Sequence, residues 1–290
     1  MTDRTLRQVT VVGVGLLGGS VGLAVKAADE RVRVVGVGRR ESSLAKATDA
    51  GAADEVTLDT AEGVAGADLV VLATPLGAYE QHLMAMKPAL RRGTCVTDVG
   101  STKALVVRLA EDILGKGGPF VGAHPMTGGE RRGVEFARAD LFVGATCIIT
   151  PTKTTPPGHL RRVERFWRML GALTVRMSPT AHDRAVARIS HLPHILAAVV
   201  VAGQKDRELP LAGPGFLDTT RVASGDPAMW REILLTNRRA VLAALDAADE
   251  QLMRLRDLLE VGDGPALERY LARAKKRRDR MVADRLRREQ

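Results

Sequence analysis

Two polar side chains near the middle of the chain have the right types for moving a proton. His124 lies in Gly122-Ala123-His124-Pro125-Met126, and Ser101 lies in Asp98-Val99-Gly100-Ser101-Thr102-Lys103. A histidine titrates near neutral pH and can take the proton of a hydroxyl that is being oxidised. A neighbouring serine can hydrogen-bond both the imidazole and that hydroxyl. Taken singly, a loop histidine and a helix-capping serine are simpler interpretations, so the elements that position them matter.

A glycine-rich fingerprint near the start of the chain predicts a dinucleotide site. Gly13, Gly15 and Gly18 form G-x-G-x-x-G, with Leu16 and Leu17 between the second and third glycines. The first glycine permits a tight turn, the second lets a pyrophosphate approach the backbone, and the third allows close helix–strand packing. The unpaired N–H groups of the following helix face the phosphates. A turn that binds no nucleotide is disfavoured, because a predicted strand precedes the glycines and a predicted helix follows them.

The residues after the second predicted strand bear on which nicotinamide cofactor is bound. That strand ends in Gly38-Arg39-Arg40-Glu41-Ser42. Arg39, Arg40 and Ser42 suit a 2′-phosphate, which a carboxylate would repel, so the sequence favours NADP over NAD. In the alternative, Arg39 stacks on adenine and Glu41 holds the ribose hydroxyls of NAD.

The elements that must position these residues alternate between β-branched runs and helical stretches. This pattern predicts a parallel sheet with helices on both faces. Strands are predicted at residues 8–14, 32–37, 69–73, 94–98, 120–123, 146–150 and 173–177, with a helix at 159–170. Such sheets bind ligands at the carboxyl ends of their strands, where Ser101 and His124 follow two neighbouring strands. Thr74 and Pro75, after the strand at 69–73, are assigned to the cofactor site.

From residue 179 onwards the sequence is almost wholly helical. Helices are predicted at residues 180–204, 219–224, 227–261 and from 265 to the end, with a loop at PLAGPGFLD and a kink at Pro193. So much of 227–261 is apolar that it must pack against another surface. The predicted fold class is an α/β Rossmann-type dinucleotide-binding domain, residues 1–177, followed by an all-α helical dimerisation domain, residues 178–290. A second copy of the chain is the expected partner.

The net charge of +9 is concentrated at the carboxyl terminus. Residues 268–290 contain ten Lys or Arg and four Asp or Glu, a net charge of +6. A charge-rich terminal helix is more often a solvated or oligomer-facing surface than a nucleic-acid arm. Nucleic-acid binding is therefore not expected.

The chain carries no recognisable export or membrane signal. Its first residues run directly into an apolar strand, and the longest apolar run, residues 195–202, is far shorter than the roughly 20 residues that a bilayer requires. Cys95 and Cys147 are too few for a disulfide framework and are expected to be buried thiols. A cytoplasmic protein with no membrane partner is predicted.

Three segments of the helical half suit the binding of an anionic substrate. Arg221 ends the segment that starts at Gly213 and can hold a carboxylate through two hydrogen bonds. His191 and His194 flank Pro193 on an otherwise apolar helix, and Trp230 follows a predicted helix start. A metal site formed by His182, His191 and His194 is not expected, because their spacing matches no standard ligand motif, and the adjacent Asp183 can be an ordinary surface charge.

Taken together, the motifs resemble those of the prephenate dehydrogenase family, which includes arogenate and cyclohexadienyl dehydrogenases. The likeness covers nearly the whole chain and rests on VGVGLLGGS, DVGSTK, GAHPMTGGERRGVEF, SHLPH and GFLDTTRVASGDPAMW, in the family's order. It implies NAD(P)-dependent oxidative decarboxylation of prephenate to 4-hydroxyphenylpyruvate, in tyrosine biosynthesis. Hydride leaves the ring carbon that bears the hydroxyl, and the ring carboxylate departs as carbon dioxide.

The resemblance also implies roles for individual residues. His124 is the catalytic histidine, Ser101 its hydroxyl partner, and Arg221 binds a substrate carboxylate. The residues implied to line the substrate pocket are His191, His194 and Trp230. Glu130 and Asp218 match an ionic cluster with Arg221 that gates the pocket in some relatives, and Pro214 lies in a turn that reaches the neighbouring subunit's site.

Other functions remain possible from the sequence. Arogenate differs from prephenate only in an amino group in place of a keto group, and an arogenate dehydrogenase would make tyrosine directly. Another β-hydroxyacid-type dehydrogenase would need a catalytic lysine in the helical half, where the first lysine after Met177 is Lys205. A nucleotide-sensing regulator would leave His124, Ser101 and Arg221 unexplained.

If His124 is the base, kcat should fall on the acid side with a pKa near that of an ordinary histidine.

Overall fold

The amino-terminal half of the chain is built around a five-stranded parallel sheet. The structure is a computed structural model that describes residues 6–128 and 131–289. The sheet order is β3-β2-β1-β4-β5, with β1 Gln8–Val12, β2 Arg33–Val37, β3 Glu55–Thr57, β4 Leu69–Leu72 and β5 Cys95–Asp98. The chain therefore leaves β1 towards one edge and returns to place β4 on its other side. This arrangement opens a crevice at the carboxyl ends of β1 and β4.

The last three strands form a second sheet, whereas they were predicted to complete the first; a parallel bridge between Val96 of β5 and Phe120 joins the two sheets. In this sheet β6 Gly122–Pro125 pairs antiparallel with β7 Thr146–Thr150, and β7 pairs in parallel with β8 Leu173–Arg176. A parallel pair requires a crossover connection, usually a helix. Between β6 and β7 the described residues form only one 3-10 turn, Val134–Phe136, so the chain reverses direction.

Helices cover both faces of the first sheet. They are α1 Leu16–Ala28, α2 Glu41–Asp49, α3 Thr60–Val64, α4 Tyr79–Met86, α5 Ala104–Leu114 and α6 Pro157–Met169. On one face, Val9 and Val11 share a core with Phe166 and Trp167. On the other face, Leu72 packs in a core with the helices that follow β4 and β5. β3 has no counterpart among the predicted strands, because it is three residues long and offers no apolar run.

The remaining helices begin directly after β8. They are α7 Pro179–Val186, α8 Leu192–Ala202, α9 Pro214–Thr220, α10 Pro227–Thr236, α11 Arg238–Glu260 and α12 Gly264–Glu289. α9 occupies part of the segment predicted as a loop, because Pro214 stands at the first helical position, where its missing N–H costs nothing.

Two interruptions shape the helices that carry polar side chains. A π-helical turn, Ala187–His191, joins α7 to α8 and lies just before Pro193, which cannot donate a backbone hydrogen bond. The helix predicted at residues 227–261 is broken at Asn237, whose side chain donates to the carbonyl oxygen of Asp183 at 2.8 Å. Both interruptions therefore accompany histidine or asparagine side chains that point into the protein.

The chain divides into two compact units after Arg238. The predicted boundary between residues 177 and 178 remains a prediction. Among the described residues, the run Pro179–Ala202 is the one helical stretch long and apolar enough to cross a membrane by length and composition. A single run of this kind is weak evidence, because helices of soluble proteins pass the same test.

Candidate active site

The glycine fingerprint forms an open cradle at the carboxyl end of β1. Gly13 has a φ of 102°, and a β-carbon there would lie 2.7 Å from the Ala73 carbonyl carbon. A β-carbon on Gly18 would lie 1.9 Å from the Gly13 carbonyl oxygen, whereas one on Gly15 would meet nothing within 4 Å. Two glycines thus permit the turn and the helix packing, while the third leaves space above the backbone.

The start of α1 offers its backbone to a ligand in that space. Gly15 is the N-cap of α1 and provides no side-chain hydrogen bond, so the amides of Leu16 and Leu17 lack a capping group. Nearby, the buried hydroxyl of Thr74 has no hydrogen-bond partner among the described residues, and Pro75 follows it. Unpaired helix amides and an unpartnered hydroxyl fit the pyrophosphate and polar groups of a dinucleotide.

The residues predicted to select the cofactor lie at the start of α2. Arg39, Arg40, Glu41 and Ser42 are all exposed. Arg40 is the N-cap of α2, and no side chain caps the first amides of this helix. Two arginines, a hydroxyl and free helix amides can bind an extra phosphate, while Glu41 is equally accessible.

His124 lies within β6, opposite Ile148 of β7, rather than after the strand as predicted. The strand extends to Pro125, because its pairing with β7 continues through that residue. His124 Nδ1 lies 2.8 Å from Nε2 of His182 on α7, and His182 Nδ1 lies 2.8 Å from Oδ1 of Asp183. The structure thus connects the predicted base to two residues of the helical half.

Asp183 is buried, which overturns its interpretation as a surface charge. Its Oδ1 accepts the backbone N–H of Lys103 at 2.7 Å, and its Oδ2 accepts that of Ala104 at 2.9 Å. The carboxylate therefore caps the amino terminus of α5 from a different helix. A His-Asp pair on an otherwise apolar helix was the sequence signal for this contact.

A buried ion pair between Lys103 and Asp98 holds the backbone of β6. The Lys103 ammonium donates to the Asp98 carboxylate and, at 3.0 Å, to the carbonyl oxygen of Ala123. Asp98 Oδ1 accepts the Ala123 amide at 2.9 Å, and Tyr79 donates its hydroxyl to Oδ2 at 3.2 Å. Both backbone groups of Ala123 are thus held, which positions the adjacent His124. The motif DVGSTK contains both Asp98 and Lys103, but its spacing does not predict that they pair.

The histidines of this cluster favour their neutral forms. Burial, together with the neighbouring His182, Lys103 and His191, lowers the pKa of His124 well below that of an ordinary histidine. Burial also lowers the pKa of His182, and it lowers that of His191 to about 4. His124 keeps part of its surface open to solvent, so a ligand can reach it while its lone pair stays available.

An aromatic wall stands beside this cluster. The rings of His194 and Trp230 are stacked, with centroids 3.5 Å apart, and His191 meets Trp230 edge-on at 6.1 Å. A β-carbon on Gly225 would lie 2.3 Å from Trp230 Nε1, so only glycine permits this packing. His191 Nδ1 lies 3.3 Å from the side-chain nitrogen Nδ2 of Asn237. The predicted pocket residues His191, His194 and Trp230 are therefore brought together.

The other predicted residues are placed less closely around His124. Ser101 is half-buried just beyond β5, and its hydroxyl makes no hydrogen bond to His124 in the described structure. Arg221 is exposed and begins the 3-10 turn Arg221–Ser224, which packs against α8. Asp218 and Pro214 are exposed on α9. Glu130 lies outside the described residues.

Within the residues described, no cluster of His, Cys, Asp or Glu has the arrangement of a metal site. Lys205, which an alternative dehydrogenase mechanism would use, is exposed, and its amide is bonded to Glu208.

Comparisons with known proteins agree with the motif resemblance. The family model "Prephenate dehydrogenase, nucleotide-binding domain" matches residues 21–176, and "Prephenate dehydrogenase, dimerization domain" matches residues 178–273. The prephenate dehydrogenase of Bacillus subtilis is 36% identical over 93% of this chain and 75% of its own length. The cyclohexadienyl dehydrogenase of Zymomonas mobilis is 32% identical over 96% of this chain and 97% of its own.

A solved structure is similar over the whole fold. Prephenate dehydrogenase from Aquifex aeolicus, in complex with hydroxyphenyl propionate and NAD+, has a TM-score of 0.90 and 33% sequence identity. The match covers 97% of this chain and 100% of that one. The predicted fold class, a Rossmann-type domain followed by a helical one, is confirmed.

Proposed function

Because this chain belongs to the prephenate dehydrogenase family of NAD(P)-dependent oxidoreductases, we propose that it converts prephenate to 4-hydroxyphenylpyruvate in tyrosine biosynthesis. The observation that carries the proposal is the position of His124. It is half-buried on β6, and its Nδ1 is hydrogen-bonded to His182 of α7. Its neutral imidazole can accept a proton from the substrate, as oxidation of an alcohol requires.

The reaction divides between the cofactor and this chain's own residues. A bound nicotinamide supplies the hydride acceptor. His124 Nε2 accepts the proton of the ring hydroxyl, and Ser101 hydrogen-bonds the same oxygen and orients it. The electron pair of the bond to the ring carboxylate moves into the ring as carbon dioxide leaves, and aromatisation drives the reaction forward.

The helical half holds the substrate in this proposal. Arg221 binds the side-chain carboxylate of prephenate through its planar guanidinium. His191, His194 and Trp230 form the wall against the ring, and Asp218 belongs to an ionic cluster that gates the pocket.

Arogenate is the second candidate substrate. The relative from Zymomonas mobilis is a cyclohexadienyl dehydrogenase and is 32% identical to this chain. The two substrates share the ring that His124 would face and differ only at the far end of the side chain.

For the cofactor we propose NADP in preference to NAD. Arg39, Arg40 and Ser42 surround an uncapped helix start, which provides both charge and hydrogen bonds for a 2′-phosphate. Replacement Arg39→Gln should lower the ratio of kcat/KM for NADP to that for NAD by about tenfold. Glu41→Gln is the matched variant. If the protein instead uses NAD and Glu41 holds its ribose, Glu41→Gln should lower the activity with NAD, and Arg39→Gln should not change the ratio of kcat/KM for the two cofactors.

The helical domain, taken as residues 178–290, is proposed to form a homodimer. Its α11 and α12 expose large apolar side chains, among them Met253 at 65% and Met281 at 60%. Exposed apolar surface of this extent is typical of an interface. Pro214, exposed at the start of α9, is proposed to reach the neighbouring subunit's site, and the dimer is proposed to act in the cytoplasm.

A steady-state assay that crosses prephenate and arogenate with NADP and NAD tests the function. We expect the highest kcat/KM for prephenate with NADP. Higher kcat/KM with arogenate would make the second candidate correct, and no turnover in any combination would overturn the proposed function.

A further inference from the structure

A continuous chain of hydrogen bonds leads from His124 into the protein interior. It runs from His124 Nδ1 to His182 Nε2 and from His182 Nδ1 to Asp183 Oδ1, with 2.8 Å at each step. It ends at the amides of Lys103 and Ala104, both of which donate to Asp183. His182 and Asp183 are buried, so bulk water does not offer them other partners.

These contacts determine which ring nitrogens carry hydrogen. Burial opposes the ionisation of Asp183, but hydrogen bonds from His182 and the two amides hold its pKa below the usual value. An ionised carboxylate has no hydrogen to donate, so His182 Nδ1 must donate to it. The Nε2 of a neutral His182 is then an acceptor, and His124 Nδ1 must donate to it. The other nitrogen of His124, Nε2, is left with its lone pair.

We propose that His182 and Asp183 are positioning residues that hold His124 in the tautomer whose Nε2 can accept the substrate's proton. This inference rests on the proposed function, because it assigns the lone pair to the ring hydroxyl of prephenate. The opposite tautomer would present an N–H to the hydroxyl and could not act as the base.

The proton is conserved through the reaction. The O–H bond of the ring hydroxyl breaks and a new N–H bond forms at His124 Nε2, while Nδ1–H remains bonded to His182. The resulting positive charge lies one histidine away from the Asp183 carboxylate, which stabilises it. After carbon dioxide has left, the phenolate oxygen takes the proton back from Nε2, so no net proton is consumed.

The other titratable groups near His124 cannot take over the role of His182 and Asp183. Lys103 is a cation paired with Asp98, and it donates hydrogen bonds without accepting any. His191 uses Nδ1 to contact the side-chain amide of Asn237. In the described part of the chain, His182 is the group that accepts from His124 Nδ1.

A spectroscopic test needs neither substrate nor cofactor. Nitrogen-15 NMR of the full chain labelled at histidine separates protonated from bare ring nitrogens, and His124→Asn identifies the signals of His124. Near neutral pH we expect a protonated Nδ1 and a bare Nε2. A protonated Nε2 in the unsubstituted protein would overturn the proposal.

Asp183→Asn sharpens this measurement. Its side chain must either turn an NH₂ group towards His182 Nδ1 and the Lys103 amide, which reverses both tautomers, or face the Ala104 amide with that group, in which case a neutral amide oxygen binds the His182 N–H more weakly than the carboxylate does. In both cases the fraction of His124 with a bare Nε2 should fall. An unchanged tautomer would contradict the role given to Asp183. Asp59→Asn, which changes another helix-capping carboxylate, is the control and should leave the His124 signals in place.

Kinetics test the consequence for turnover. His182→Met removes the acceptor and should lower kcat about 100-fold, with the KM values for substrate and cofactor within about twofold. His182→Gln restores an acceptor oxygen and should recover about tenfold of that loss. Equal kcat for the Met and Gln variants, or a loss confined to KM, would overturn the proposal. His159→Gln, on α6, should keep the kcat of the unsubstituted enzyme.

The proposed function and the positioning role of His182 and Asp183 can be disproved separately. If the unsubstituted enzyme turns over neither prephenate nor arogenate, the proposed function is wrong, while the tautomer of His124 still decides the positioning role. If prephenate is turned over but Nε2 is protonated, only the positioning role is wrong.

Discussion

The cofactor end and the proton-handling end of the site are built in different ways. At the cofactor end, one turn of backbone and its glycines, Gly13–Gly18, create most of the cradle, and the Ala73 backbone packs against Gly13. At the proton-handling end, His124, His182 and Asp183 come from two elements almost sixty residues apart in the chain, and Lys103 and Ala104 from a third. One end therefore depends on local geometry and the other on long-range packing, so the two ends should be separable by mutation.

The largest effect is expected from a substitution that disrupts only the proton-handling end. His124→Asn removes the base and should lower kcat by about 10³-fold. Cofactor affinity, measured by fluorescence titration, should stay unchanged, because the glycine cradle does not involve His124. His159→Asn is the matched control and should retain kcat. Retention of kcat by His124→Asn would show that His124 is not the base.

The converse change breaks the cofactor end. Gly18→Ala places a β-carbon 1.9 Å from the Gly13 carbonyl oxygen, so the turn must move. We expect a loss of about 1–3 kcal/mol in the free energy of unfolding, together with weaker cofactor binding. Chemical denaturation and cofactor titration measure the two effects.

Two further alanines sharpen that result. A β-carbon at Gly15 meets nothing within 4 Å, so Gly15→Ala should weaken cofactor binding without changing the free energy of unfolding. Gly158→Ala, which is equally unhindered on α6, should leave cofactor binding unchanged and raise the free energy of unfolding by about 0.5–1 kcal/mol, because alanine favours a helix more than glycine does. If Gly15→Ala binds the cofactor normally, the phosphates do not lie over this glycine.

A smaller effect is expected where the substrate is held. Arg221→Gln should raise the KM for prephenate about 10- to 100-fold, because a charged hydrogen bond to a carboxylate is lost. kcat should change less, since the reacting ring is held elsewhere. Arg231→Gln, an exposed arginine on α10, is the control with an unchanged KM. A fall in kcat with a constant KM would show that Arg221 acts in the chemical step and not in substrate binding.

The smallest expected effect concerns pH. A histidine whose pKa is lowered stays neutral further into the acid range, so lost activity appears only when the pH falls through that lowered pKa. Because burial and the neighbouring His182, Lys103 and His191 lower the pKa of His124 well below 6.5, kcat/KM should stay level through pH 6.5 and fall only below it. This moves the acid limb below the position expected for an ordinary histidine. A midpoint at or above pH 6.5 in the pH profile of kcat/KM would contradict it.

Sequence patterns and the folded structure agree most closely where local geometry decides. Seven of the eight strands correspond to predicted runs, and the exception, β3, is exposed and three residues long. They agree least where pairing depends on connections, as in the second sheet, where β6 and β7 are antiparallel. Asn237 illustrates the same point, because its helix-breaking role comes from a bond to Asp183.

By itself, the sequence determined the dinucleotide cradle, the succession of a Rossmann-type and a helical domain, and the family. These follow from glycine stereochemistry, from apolar periodicity and from motif order, all of which are written along the chain. Only the tertiary structure decided that His124 is bonded to His182 and that Asp183 is buried. The physical reason is that hydrogen-bond partners and burial depend on which distant elements meet, and spacing along the sequence does not specify that.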